Sequence, residues 1–152
     1  KTKKGLYEGK ELVFDINSHN YINKEEYKLE EIVQVNELIK EGEYIKAYQK
    51  LFKCDTEEKQ IVTKTLVQYI VYAIYIGKNT AKKIEDCDDA MATGFGWCPP
   101  IALKELIDEV TDFKKLCDNY IGKNIMDKYQ LYETIEQLPK SNYDYRKYIK
   151  AV

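Results

Sequence analysis

Histidine is nearly absent from this chain: His19 is the only one in 152 residues. Imidazole is the side chain whose ordinary pKa lies nearest neutral pH, and it is the commonest general base. His19 falls in Asn17-Ser18-His19-Asn20, a polar stretch that reads as a turn, so it is taken as a solvated loop residue rather than a base. Cysteine is thin and scattered. Cys54, Cys87, Cys98 and Cys117 form no C-x-x-C pair, whereas a zinc site draws its soft ligands in paired spacing, so no metal-ligand set is expected. Isolated cysteines in a helical chain of this size fit a reduced, cytoplasmic protein.

Charge of one sign is also missing. The 24 Lys+Arg against 26 Asp+Glu give a net charge of -2, with the signs interspersed. No basic face is visible, so nucleic acid is not expected as a partner. The apolar run from Leu66 to Ile76 is too short, and too closely flanked by Lys64 and Lys78, to cross a bilayer core of about 30 Å. No secretory leader or membrane anchor is read, and a start at Lys1 rather than Met is expected of a fragment from a longer protein.

Nucleotide and hydrolase signatures are missing too: no G-x-G-x-x-G after a strand, no G-x-x-x-x-G-K-[ST], no H-E-x-x-H and no G-x-S-x-G. Gly94-Phe95-Gly96 follows a helix, not a strand, and so does not fit a dinucleotide-binding turn. Glu85-Asp86-Cys87-Asp88-Asp89 is spread over several directions by a helix and reads as a solvated face, not a cation site. No catalytic or cofactor-binding residue is expected from these patterns.

What the chain does have is helical periodicity. Its length suits one domain, which buries about two thirds of its unfolded surface and needs no disulfide or metal to fold. Between Leu66 and Ile76 only Gln68 is conventionally polar, which predicts a central helix buried nearly all round. Asp55 or Thr56 suits its start, and Gly77 followed by Lys78 its finish.

Before it, Gly5–Glu8 and Glu11–Ile16 read as two short strands around Gly9-Lys10, with Tyr21-Ile22 able to begin a third. A helical region opens at Asn23 or Lys24 and ends near Gly42. Tyr44, Ala47, Tyr48, Leu51 and Phe52 then give a clean amphipathic helix. After the central helix, one helix starts at Asn79-Thr80 and stops at Gly94, its Asp88 facing outward, and the aromatic loop Phe95–Pro100 follows. Pro100 suits the first turn of the next helix. Thr111-Asp112 caps another that ends at Gly122, and Tyr129, Tyr132, Ile135 and Leu138 form a last stripe before Pro139. Three segments result: a β appendage over 1–22, a helical domain over 23–138, and a Tyr/Lys-rich tail over 139–152. The tail either docks on the core or runs into something missing.

The segment Ile84–Leu106, IEDCDDAMATGFGWCPPIALKEL, resembles a signature of the C-terminal domain of 3-hydroxyacyl-CoA dehydrogenases. That family shows a helix of the form I-D-x-A-M, a glycine-rich aromatic loop such as G-F-G-W, then a proline-started helix P-F-E-L. Asp88 or Asp89, Ala90, Met91, Gly94, Phe95, Gly96, Trp97 and Pro100 sit where the pattern puts them. The opening Lys1–Tyr7 is similar to the K-T-G-K-G-F-Y stretch that leads into a second copy in tandem members. The resemblance spans roughly residues 1–120.

It implies a 6-phosphogluconate-dehydrogenase C-terminal-like helical bundle, mainly α, around one long buried helix. It also implies that the NAD-binding Rossmann domain and the catalytic His–Glu pair lie outside this chain, so that NAD belongs to the parent protein. The helical domain would close the cleft over the acyl-CoA substrate and would pair as a homodimer or with a tandem repeat. The reaction implied is hydride transfer from C3 of an L-3-hydroxyacyl-CoA to NAD. Two positions depart from the family. Thr63 stands where an active-site asparagine is expected, and Pro99-Pro100 replaces Gly-Pro, which together favour the second, structural copy of a tandem.

Thr63, Phe95, Trp97, Pro99 and Pro100 are therefore the substrate-cleft candidates, with Phe95 and Trp97 favoured as core anchors over independent acyl-chain binders. The competing reading is a stand-alone helical adaptor whose tyrosine-rich surface binds another protein.

Overall fold

The computed structural model describes residues 6–7, 10–23, 30–53 and 55–151. It divides into two units, Lys1–Glu30 and Glu31–Val152. The first holds three short strands: β1 (Leu6–Tyr7), β2 (Lys10–Asp15) and β3 (Asn20–Asn23). β2 pairs antiparallel with both neighbours, and Phe14 faces Tyr21 across the second pairing with ring centroids 5.3 Å apart. The β2–β3 turn is closed by Asp15, whose carboxylate accepts the Asn17 and Ser18 N–H groups. His19, exposed as expected, completes that turn at φ 55°. The expected Gly9 turn and helix start at Asn23 or Lys24 lie partly outside the described residues.

The second unit is mainly helical. Its elements are α1 (Glu30–Lys40), α2 (Tyr44–Leu51), α3 (Glu57–Thr80), α4 (Asp86–Asp89), a π-helical turn (Ala90–Phe95), α5 (Pro100–Asp108), α6 (Phe113–Tyr120), α7 (Lys123–Lys128) and α8 (Leu131–Glu136). Gly42 at φ +79° ends α1, a left-handed position that glycine adopts without a Cβ penalty.

Helix α3 is the axis of the unit and packs against α4, α5, α6 and α8. Thr56 caps it, its hydroxyl accepting the Lys59 N–H, and Glu57 and Glu58 in the first turn suit the positive end of the helix dipole. The core forms where Val67, Ile70, Val71 and Ile74 meet Ala102, Leu103, Leu106 and Ile107 of α5, Phe113, Leu116 and Cys117 of α6, Met126 of α7, and Leu131 and Ile135 of α8.

Two expectations for α3 fail. The helix is not buried all round: Tyr72 is 65% exposed, and Ile61, Val62 and Ile76 are also exposed. A run of apolar residues therefore marks a core-facing side plus a second, uncovered side, because a helix inside a unit of this size meets neighbours over only part of its circumference. Nor does Gly77 end it, since α3 runs on to Thr80. A Cβ at Gly77 would lie 3.2 Å from both the Cys87 Cβ and the Ile84 carbonyl oxygen, so this glycine serves close approach rather than termination.

Further along, Gly96 rather than Gly94 ends the helical segment before the aromatic loop. Gly96 adopts φ +65°, and the Trp97 N–H closes on the Met91 carbonyl. Asp112 caps α6 by accepting the Lys114 and Lys115 N–H groups, and Gly122 at φ +95° ends it. The stripe from Tyr129 to Leu138 belongs to α8 and its flank, because Gln130 at φ 52° separates α7 from α8. The tail docks: Tyr145 is buried in the core cluster, and the Tyr44 hydroxyl donates to the Arg146 carbonyl.

The two faces of α3 can be told apart by melting. Ile70→Ala opens a cavity at a fully buried position and is expected to cost about 3 kcal/mol, whereas Lys64→Ala on the exposed side should stay within about 0.5 kcal/mol. Thermal unfolding followed by circular dichroism checks both.

Candidate functional site

Helix α5 begins on two consecutive prolines. Pro100 occupies its first turn and has no N–H, and Pro99 before it offers no side-chain cap. The first orphan donor of α5 is therefore the N–H of Ile101, itself buried, and an unpaired buried N–H is costly. Asp88 supplies the acceptor. It is only 2% exposed, and its Oδ1 accepts the Ile101 N–H at 2.7 Å. Its Oδ2 accepts the Ser141 hydroxyl at 2.5 Å, and Glu105 Oε1 accepts the Ser141 N–H at 2.8 Å. The Tyr143 hydroxyl donates to Asp89 Oδ1 at 2.6 Å. Carboxylates of the acidic run thus fasten α4, the start of α5 and the tail to one another.

Asp88 corrects the expectation of an outward, solvated side chain. Burial pushes its carboxyl above the ordinary value of 3.8, and the Ser141 and Ile101 donors partly offset that rise. Helical spacing alone put Asp88 outside, because it could not register that α5 lacked a cap of its own.

Between α4 and α5 the chain makes the π-helical turn and the loop Gly96–Pro99. π-turns inside helices recur at functional sites because the widened turn re-aims the residues that follow. Here the residues that follow are aromatic. Phe95 is 65% and Trp97 57% exposed, with ring centroids 5.6 Å apart, so the reading of both as core anchors is overturned. Tyr69 on α3 braces them: its ring meets Trp97 edge-on at 6.0 Å, and its hydroxyl donates to the Cys98 carbonyl at 2.6 Å.

Among the five cleft candidates, the structure keeps Phe95 and Trp97 together at the surface. Pro99 and Pro100 are buried beneath them as the entry to α5. Thr63 is fully buried on the core side of α3, six residues before Tyr69, and presents no side-chain surface to solvent. Two grooves flank Tyr72, one of about 340 Å³ and one of about 250 Å³, and none of the five candidates lines either. Tyr69, Asp88, Glu105 and Ser141 were missed as site residues. For Asp88 a signal existed, since a helix opening on Pro-Pro must borrow an acceptor from elsewhere.

The chemistry available at the loop is that of a surface rather than a reaction centre. Burial and, to a lesser extent, the nearby Asp88 carboxylate together push the Cys87 and Cys98 thiols up to about 12, so neither is a thiolate near neutral pH. No group of three or more His, Cys, Asp and Glu side chains that could hold a metal ion occurs among the described residues. None of the described helices is long and apolar enough to cross a membrane. Compared with protein-family models, curated proteins and solved structures, the chain matches none.

The Asp88 cap makes two linked predictions. Asp88→Ala strands the Ile101 N–H and should cost about 2 to 3 kcal/mol, while Asp88→Asn keeps a carbonyl acceptor and should cost less. The pKa in the folded state is raised, so the stability linked to this group is complete below the ordinary carboxylate value and is lost as pH rises through the folded value. Relative to Asp88→Asn, the native chain should therefore lose stability as pH climbs above 3.8, a difference that urea unfolding at a series of pH values measures.

Proposed function

We propose that this chain is the helical C-terminal domain of an NAD-dependent L-3-hydroxyacyl-CoA dehydrogenase, cytoplasmic, with a 6-phosphogluconate-dehydrogenase C-terminal-like bundle. Its partner is an NAD-binding domain on other polypeptide, and its substrate contact is the acyl-CoA that the two domains enclose. The observation that carries the reading is the ledge of Phe95 and Trp97. Two large aromatic rings stand more than half exposed on a loop that the Tyr69 hydrogen bond and the Asp88 cap hold rigid. Rigid, uncovered aromatics are typical anchors of surfaces that another body covers. The sequence around them is the part that resembles the dehydrogenase signature, from Asp88 through Pro100. Thr63 is carried as a packing residue in this reading.

The same ledge also favours a second reading, a helical adaptor that offers Phe95 and Trp97 to another protein. An upstream βαβ region carrying G-x-G-x-x-G in the parent reading frame would exclude it.

Kinetics separate the readings. The isolated chain should not oxidise 3-hydroxybutyryl-CoA with NAD, whereas the parent protein should. In the parent, Trp97→Ala is expected to raise KM for the acyl-CoA roughly five- to thirtyfold, the span of 1 to 2 kcal/mol, with KM for NAD unchanged. In the isolated chain the same substitution should cost less than about 1 kcal/mol of stability, because more than half of the residue is already in water. Turnover by the isolated chain, or a loss of about 3 kcal/mol on removing Trp97, would overturn the assignment.

A further inference from the structure

Tyr72 lines both grooves on the outer side of α3, and the larger, of about 340 Å³, has the make-up of a small-molecule site. Its floor is apolar: Val71 of α3, Ile121 just after α6, Ile125 of α7 and Leu131 of α8. Tyr72, Tyr75 and Tyr129 wall it, the Tyr75 and Tyr129 rings meeting edge to face with centroids 5.2 Å apart. Gln68, one turn before Tyr72, adds an amide. The three phenol hydroxyls and the Gln68 amide make no hydrogen bond among the described residues. A mostly apolar hollow with a few uncommitted polar tips is the usual form of a ligand pocket.

A cationic end narrows the occupant. The Lys78 ammonium lies 3.4 Å from the carbonyl oxygens of both Tyr129 and Gln130, and that of Lys128 lies 5.2 Å from the centroid of the Tyr129 ring. Two ammonium groups thus flank one wall residue. Both Lys78 contacts are longer than ordinary N–H···O bonds, and an ammonium has three donors, so Lys78 keeps capacity for an anion. Within one helical turn of the lining residues the cations are Lys64, Lys78, Lys123 and Lys128. The acids over the same span are Asp118, Asp127 and Glu133. Asp118 already accepts the Tyr132 hydroxyl, and Glu133 the Gln137 amide. Asp127 and Lys128 are successive on α7 and do not face each other. Four ammonium groups against three carboxylates leave one net positive charge, which suits a single acid group. The smaller groove lacks this character, being lined by Asp86 and by no cation.

We propose that this groove binds an aromatic carboxylate: a rigid body of one or two rings between Tyr72, Tyr75 and Tyr129, with its acid group at Lys78 and Lys128. Aromatic faces and edges attract one another beyond the area they bury, and a rigid ring gives up little conformational freedom on binding. A flexible acyl chain of equal volume loses its rotamers and gains no ring contact. A neutral ring would leave the ammonium groups unused. None of Thr63, Phe95, Trp97, Pro99 and Pro100 lines the groove, so the inference is independent of the dehydrogenase reading and either can fail while the other stands.

The test is a titration of the full chain with 2-naphthoate, followed by backbone amide shifts in nuclear magnetic resonance spectra. A two-ring acid is small, so the expected Kd is about 0.1 to 1 mM at one site, with the shifts centred on Gln68, Val71, Ile121, Ile125 and Tyr129. The neutral 2-naphthamide should bind roughly fivefold more weakly, and Lys78→Gln should remove most of that difference. Raising NaCl from about 0.05 to 0.5 M should weaken binding of the acid and leave that of the amide unchanged. Ile125→Asp, at an exposed position, should keep the circular dichroism spectrum and abolish naphthoate binding. Dodecanoate should bind more weakly than naphthoate. No saturation by about 5 mM, shifts centred on Phe95 and Trp97, or the amide bound as tightly as the acid overturns the proposal. So does tighter binding of dodecanoate. Concentration-dependent shifts of the same amides without ligand would put a second copy of the chain in the groove and overturn it as well.

Discussion

One buried carboxylate holds this structure's surface in place. Asp88 accepts a hydrogen bond from the first available N–H of α5, a helix whose Pro-Pro entry leaves it no cap of its own. Taking an acid out of water is unfavourable, and the raised pKa of Asp88 records that cost. The cost is offset by satisfying a buried N–H and a hydroxyl in a setting of low dielectric, where each such bond is strong and each missing one is expensive. The loop between α4 and α5 is thereby pinned at both ends, and Tyr69 fixes its middle through the Cys98 carbonyl. Phe95 and Trp97 stand exposed on the segment so held.

Helix α3 organises the rest by having two different sides. One closes the core through Val67, Ile70 and Ile74; the other leaves Tyr72 and Ile76 uncovered. A helix with apolar residues around most of its circumference has more surface to bury than its own unit provides. The aromatic ledge and the outer side of α3 are thus two separate uncovered surfaces, one on a braced loop and one on a regular helix.

Much of this arrangement was legible in the residues. Thr56 as a cap, Pro100 at the first turn of α5, Asp112 ahead of α6 and Gly122 behind it follow from local rules, and local rules were sufficient there. The strands of the appendage followed from alternation around polar turns. What stayed hidden depended on contacts far apart in the chain. Gly77 lies inside α3 where a Cβ would come within 3.2 Å of Cys87, and no local pattern carries that approach. Asp88 and Ser141 are joined across 53 positions. Phe95 and Trp97 were read inward because large aromatics usually are, whereas the π-turn and the left-handed Gly96 swing them outward. Thr63 came from a family resemblance, which supplies a position in sequence but not the side of the helix on which it falls.

The reach of the tail has a consequence for how the molecule is made. The hydroxyl that completes the Asp88 pair belongs to Ser141, and Tyr145 joins a core whose other members begin at Val35. A nascent chain emerging from the ribosome N-terminus first has α3 and α5 in hand well before either residue appears. Until then one oxygen of a buried acid and one wall of the core stay open to water. The unit can close fully only once Ser141 and Tyr145 have been made, so a chain cut short near Pro139 would have its central polar cluster unfinished.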